Sequence, residues 1–179
     1  MKNQTLAWEI LGMIFTIFVG SFFHFIFELS GGNIIIGAIS PVNESVWEHL
    51  KLAYIPLLLF SLLQYYFLKK STNNFVIAKT VATFVIPLII VISFYTYVAI
   101  LGEDSLFFDI FFFALSIIIG YLISYKILIS EQFSKKYSII CLIALIVYGA
   151  LFVIFTFYTP NLFIFQDSIT GQYGIIENH

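Results

Sequence analysis

The residues best placed to do chemistry lie between His24 and Lys51, in the run HFIFELSGGNIIIGAISPVNESVWEHLK. This stretch holds two of the three histidines and three of the ten acids of a chain that is only 10% charged. His24, Glu28, Glu44, Glu48 and His49 are donors that could surround a divalent cation. Two imidazoles with one or two carboxylates suit Zn²⁺, Mn²⁺ or Fe²⁺ in a site that keeps a position open. Glu48, Glu44 and His49 are the candidate catalytic groups, one acid serving as base and a histidine as proton donor. Asn43, Trp47, Lys51 and Asp167 are candidate ligand-binding groups. The spacing matches no H-E-x-x-H signature and no E-x-x-H motif. Three readings of the cluster therefore stay open: a metal site, a proton or organic-ligand site, and a hydrogen-bonded structural network.

The elements that must position these groups are membrane spans. The chain has 179 residues, is 61% hydrophobic and 20% aromatic, and has a mean hydropathy of +1.03. Soluble domains average about 45–50% apolar and about 25% charged residues. An all-α integral membrane protein forming a single domain over 1–179 is the expectation. Five runs, 6–28, 51–68, 76–101, 107–127 and 137–159, meet the requirement of about 20 mostly apolar residues per spanning helix. Long continuous runs exclude a β-barrel, whose strands are short and alternate in polarity. The first run, with a lone Lys2 and no A-x-A pattern, reads as a retained span and not as a signal peptide. The segment 29–50 is expected to be re-entrant or interfacial, and 160–179 to form a tail on the same side.

Charge orients the bundle. Lys2, Lys69, Lys70, Lys79, Lys126, Lys135 and Lys136 fall on one side of a five-span arrangement, and only Lys51 on the other. Glu28, Glu44, Glu48, Glu103, Asp104, Asp109, Asp167 and Glu177 accompany Lys51. The positive-inside rule then places the N-terminus in the cytoplasm and the C-terminus outside, in a multi-pass cell-membrane protein. The formal charge of -2 gives no reason to expect nucleic acid, and the partners expected are the lipid bilayer and a lipid or small-molecule ligand. Cys141 is the only cysteine, so no intramolecular disulfide forms.

Local patterns refine the picture. Gly12, Thr16, Gly20, His24 and Glu28 recur every fourth residue, so they lie broadly on one side of the first helix. The inner three suit close helix packing, and the outer two end the strip in an imidazole and a carboxylate. Ser40 reads as an N-cap with Pro41 at the first helical position, which predicts a helix over 41–50. Such a helix would present Glu44, Glu48 and Lys51 on one face. Glu9 beside Trp8 reads as an interfacial anchor, Asp109 as a favourable charge at a helix start, and His179 as a terminal residue.

The stretch ISPVNESVWEHLKL, Ile39 to Leu52, resembles the signature of a family of small bacterial multi-pass membrane proteins of unknown function. The tail FQDSITGQYGI, Phe165 to Ile175, resembles that family's ending. The resemblance implies a cytoplasmic-membrane protein and brings no activity with it. It also implies an ordered structure around Asp167, Gly171, Tyr173 and Gly174, folding over the 29–50 loop. Function is thus open among a membrane hydrolase or binding protein with an outer His/Glu pocket, a small proton- or cation-coupled transporter or accessory subunit, and a structural or assembly protein.

Overall fold

A computed structural model describes Lys2 to Ile176; Glu177 and His179 lie outside the described residues. Five helices are long and apolar enough to cross a membrane. In chain order the helices are α1 (Lys2–Leu29), α2 (Ile34–Gly37), α3 (Val46–His49), α4 (Lys51–Leu68), α5 (Phe75–Leu101), α6 (Leu106–Leu128) and α7 (Lys135–Phe157), followed by a 3-10 turn at Phe163–Phe165. The long helices begin and end within a few residues of the expected runs, because each boundary is a polar break. Gly102, for example, closes α5 in the left-handed conformation at φ 82°, a backbone state that costs glycine no Cβ clash.

The long helices alternate in direction. The connections after α4 and α6 meet at the end that carries Lys2, where Asn74 Nδ2 donates to the Ile127 and Glu131 carbonyls. The 29–50 segment and the 160–176 tail meet at the far end. Helices α4 and α5 are the most enclosed of the five, whereas α1 and α7 turn broad apolar faces outward, with Phe18, Phe22, Ile146 and Ile154 exposed. A surface of this kind is solvated by hydrocarbon, not by water.

The 41–50 expectation needs correction. Ser40 caps no helix; its hydroxyl donates back to the Ile36 carbonyl. Residues 41–44 form a tight turn, and the helix starts at Val46 with Ser45 as its cap, the Ser45 Oγ accepting the Glu48 amide. Asn43 explains the delay. Its Oδ1 accepts the Ser45 amide, a local bond that competes with helical continuation. Glu44 consequently leaves the face that carries Glu48 and Lys51.

A small-residue contact holds α1 against α4. Pro56 has no amide proton, so the Leu52 carbonyl one turn earlier lacks its helical donor. Gly20 of α1 lies directly on that carbonyl, with the Phe113 ring of α6 beside it. A Cβ at position 20 would overlap a backbone oxygen, which cannot rotate away. Gly12 likewise leaves room for Phe60 and Tyr121, and the Thr16 and Tyr121 hydroxyls pair at 2.8 Å between them. Gly20→Ala is therefore expected to lower the stability of the bundle by about 1–3 kcal/mol, the usual cost of overpacking, and thermal unfolding in detergent against wild type measures it.

Candidate metal centre

Three side chains converge at the far end. His24 comes from the last turns of α1, Glu44 from the 41–44 turn, and His49 from α3. His24 Nε2 lies 3.1 Å from His49 Nε2. Glu44 Oε2 lies 3.5 Å from the first nitrogen and 3.3 Å from the second. The ligand atoms of this trio lie within 4.8 Å of one another, a spacing that could hold a metal ion. A cation bound at about 2.0–2.1 Å by tetrahedral nitrogen and oxygen ligands separates them by about 3.3 Å. All three measured edges are close to that length.

The second shell fixes which atoms face the centre. The Ser45 carbonyl can only accept, so His49 Nδ1 carries a proton and donates to it at 2.9 Å. In a neutral His49 this leaves the Nε2 lone pair directed at His24 and Glu44, the tautomer a metal requires. Three electron-rich atoms at these distances repel unless positive charge lies between them, supplied by imidazole protons or by a cation. The two imidazoles beside Glu44 hold its carboxyl well below the usual carboxylate range, overcoming the opposing effect of partial burial.

Glu44 is positioned from the tail. Its amide donates to Asp167 Oδ2 at 2.7 Å. Asp167 Oδ1 accepts the Ile169 and Thr170 amides and the Thr170 hydroxyl. Burial pushes the Asp167 carboxyl up, but the donors from Thr170, Glu44 and Ile169 outweigh it and hold the group below its ordinary value. Gly171 and Gly174, both at positive φ, close a short antiparallel turn in which Gln166 bridges Tyr173. Asn43 Nδ2 donates to the Gly174 carbonyl at 2.8 Å. Asn43 and Asp167, read as ligand-binding groups, thus both hold backbone in place.

Glu48 and Lys51 lie elsewhere. The Lys51 ammonium is fully buried and donates to the Gly37 and Ser40 carbonyls, to Glu48 Oε2 at 2.6 Å and to the Thr156 hydroxyl at 2.5 Å. Glu48 Oε2 also accepts the Val42 amide, and Oε1 accepts the Thr156 hydroxyl. Glu48 therefore faces this second network, apart from the His24, Glu44 and His49 trio. Trp47 packs among Phe152, Phe155 and Phe165. Glu28 is exposed. Residues four apart drift by about 40° per step on a helix with 3.6 residues per turn, so the strip that buries Thr16 and Gly20 has rotated outward by Glu28.

Thr156 and Tyr97 belong to the far end as well and carry no signal in the sequence. Tyr97 of α5 donates to the Asp109 carboxylate of α6 and also accepts the Ser105 amide. Asp109 lies in the first turn of α6, as expected of a charge that favours a helix start, and Ser105 precedes the helix without a side-chain cap bond. Ser45, in contrast, was legible: Ser-x-x-Glu is a helix-start pattern.

With the geometry in place, the chain can be set beside known proteins. Residues 1–175 match the family of unknown function DUF6512. The chain belongs to it. No curated protein and no solved structure matches the chain.

The saturated network makes a prediction separable from the metal centre. Lys51→Met leaves the Glu48 carboxylate buried without its cation and is expected to cost about 3–5 kcal/mol. Thermal unfolding should show that loss, while the residual folded protein keeps any metal it carries.

Proposed function

We propose that this DUF6512 protein is a membrane metalloprotein whose His24, Glu44 and His49 hold one first-row divalent cation on the extracytoplasmic side. What carries the reading is the triangle of ligand atoms with edges of 3.1, 3.3 and 3.5 Å, backed by the Ser45 carbonyl that sets the His49 tautomer. Two imidazoles and a carboxylate at tetrahedral spacing favour Zn²⁺, with Mn²⁺ and Fe²⁺ as weaker fits. Each of the three side chains is partly open to the outside, at 29–38% exposure, so a further coordination position is reachable. A cation with an open position lowers the pKa of bound water towards neutrality. Hydrolysis of a lipid or lipid-linked substrate at the membrane boundary is the reaction this arrangement suits.

The orientation is part of the same proposal, in a bacterial type of cytoplasmic membrane. Its support is sharper than a count of lysines. Lys51 and Lys79 are buried in ion pairs, and the exposed lysines, Lys2, Lys69, Lys70, Lys126, Lys135 and Lys136, all lie at the Lys2 end. Excess exposed lysine marks the cytoplasmic side, which puts the metal centre outside.

Protein purified without chelator and analysed for metals is expected to carry roughly one cation per chain on His24, Glu44 and His49. His24→Ala, His49→Ala and Glu44→Ala should each lower occupancy at least about tenfold, as even outer-shell changes do at metal sites, and Glu28→Ala should leave it unchanged. Wild-type protein that neither retains a first-row cation nor takes up added Zn²⁺ rejects the reading. For the orientation, single cysteines are placed in a background lacking Cys141. Those at Ser105 and Gln172 should react with an impermeant thiol reagent in intact cells, and those at Asn73 and Ser134 should be protected. Labelling at Asn73 reverses the topology.

A further inference from the structure

The bundle holds two buried ion pairs, and they differ in how fully their polar atoms are satisfied. In the pair at the far end, Lys51 meets four acceptors and both Glu48 oxygens have donors. The pair near the Lys2 end is left incomplete. Lys79 of α5 donates to Glu9 Oε1 of α1 at 2.6 Å, and Gln64 of α4 donates to the same oxygen at 2.9 Å. Glu9, read from the sequence as an interfacial anchor, is 2% exposed and lies inside the bundle. Glu9 Oε2 and Gln64 Oε1 are both buried with no hydrogen-bond partner among the described residues. Two orphaned acceptors on two residues of one polar cluster point to a missing donor.

A polar cleft lies at the same end of the bundle. Thr5 lies one turn before Glu9 on the buried stripe of α1 and lines a cleft of about 260 Å³ with Lys2, Lys70, Ser71, Thr72 and Asn73. The Ser71 and Thr72 hydroxyls, which donate to the Leu68 carbonyl, belong to residues of this lining. A lining with hydroxyl residues and two lysines accommodates water. In the other direction the path is closed. Beyond the Thr16 and Tyr121 hydroxyl pair, Gly20 rests on the Leu52 carbonyl.

Charge balance decides the form of the site. A second cation added beside Lys79 would leave a net positive charge in the apolar interior, which is costly. Lys79 has somewhere to go. Its ammonium lies 4.9 Å from the Tyr121 ring centre and 5.6 Å from that of Phe75, the residue that opens α5 at the Lys2 end. Lysine at a helix end readily extends its ammonium to the interface.

We propose that Glu9 is a proton-binding site loaded from the Lys2 end, with Lys79 as its tethered competitor. A proton from water in the cleft forms an O–H bond at Glu9, the Glu9–Lys79 ion pair breaks, and the still protonated Lys79 moves past Phe75 into the cleft. The buried cluster gains one proton and loses one ammonium, so its charge is unchanged. The titratable and charged groups around Glu9 are Lys79 from α5 and Tyr121 from α6; α4 contributes the neutral Gln64, and Lys2 and Lys70 stand at the cleft. The site is independent of the metal centre and gives the protein a proton-linked conformational step.

The test is pH-difference infrared spectroscopy on the full chain in lipid vesicles, between neutral and acidic pH. A protonated-carboxyl band is expected in wild type and in Glu44→Gln, and its loss is expected in Glu9→Gln. Lys79→Met removes the competitor and should tighten proton binding at least about tenfold, as loss of an adjacent cation does, so the band appears at higher pH. Where Lys79→Met does not fold, Lys79→Arg, a cation with more donors to hold it on Glu9, should move the band to lower pH. Exchange of sodium for choline should leave the titration in place. The proposal is overturned by a wild-type spectrum with no Glu9-dependent band, by a midpoint indifferent to Lys79, or by a midpoint that follows sodium, which would make the occupant a metal cation.

Discussion

The Lys51 ammonium is the point on which the far end of the bundle depends. It is fully buried, and it reaches two carbonyls of the 29–50 loop, a carboxylate of its own helix segment and a hydroxyl of α7. A cation with this many partners fixes the relative placement of three chain segments, because moving any of them strips a charged bond in a medium of low dielectric. The loop between Gly37 and Val42 is drawn down onto α4. The 41–44 turn is then forced to project Glu44 sideways, towards His24. The His24, Glu44 and His49 trio lies beside this network and draws no ligand from it; Glu44 is held separately, through its amide, by Asp167 of the tail.

The contrast between the two buried ion pairs gives the bundle two ends of different character. At the far end every donor and acceptor of the Lys51 and Glu48 pair is matched, and such networks rigidify. Near the Lys2 end, both donors to Glu9 converge on one oxygen and the other is bare. Partly satisfied polar clusters are less stable than either a filled network or an apolar core.

The spans were legible because hydrophobic length is a one-dimensional property, and polar breaks mark its limits. The closeness of His24 to His49 and Glu44 was legible only as a possibility, since it depends on the turn at 41–44. Ser40-Pro41 and Ser45-x-x-Glu48 are competing helix starts, and local propensity does not choose between them. The Asn43 side chain, bonded to the Ser45 amide and to the tail, chooses the second. Glu48 was grouped with Glu44 among the candidate site residues because a helix from Ser40 would have set both on one face; once the helix begins later, the two acids part. Glu9 and Lys79 lie 70 residues apart in the sequence, and no periodicity links them. The tail's ordered structure was implied by its resemblance to the family's ending, but its partner, the Glu44 amide, was not.

That last bond has a consequence for how the protein is made. Glu44 is held by a residue 123 positions later, and Lys51 by Thr156, 105 positions later. Synthesis delivers the first spans before either partner has left the ribosome. During that interval a lysine and two glutamates must remain at the membrane surface or be sheltered, and the trio has no fixed shape. The cluster therefore takes its shape late in biogenesis, when α7 docks against α5 and carries Thr156 and the tail into place. The geometry of the trio is thus tied to completion of the bundle.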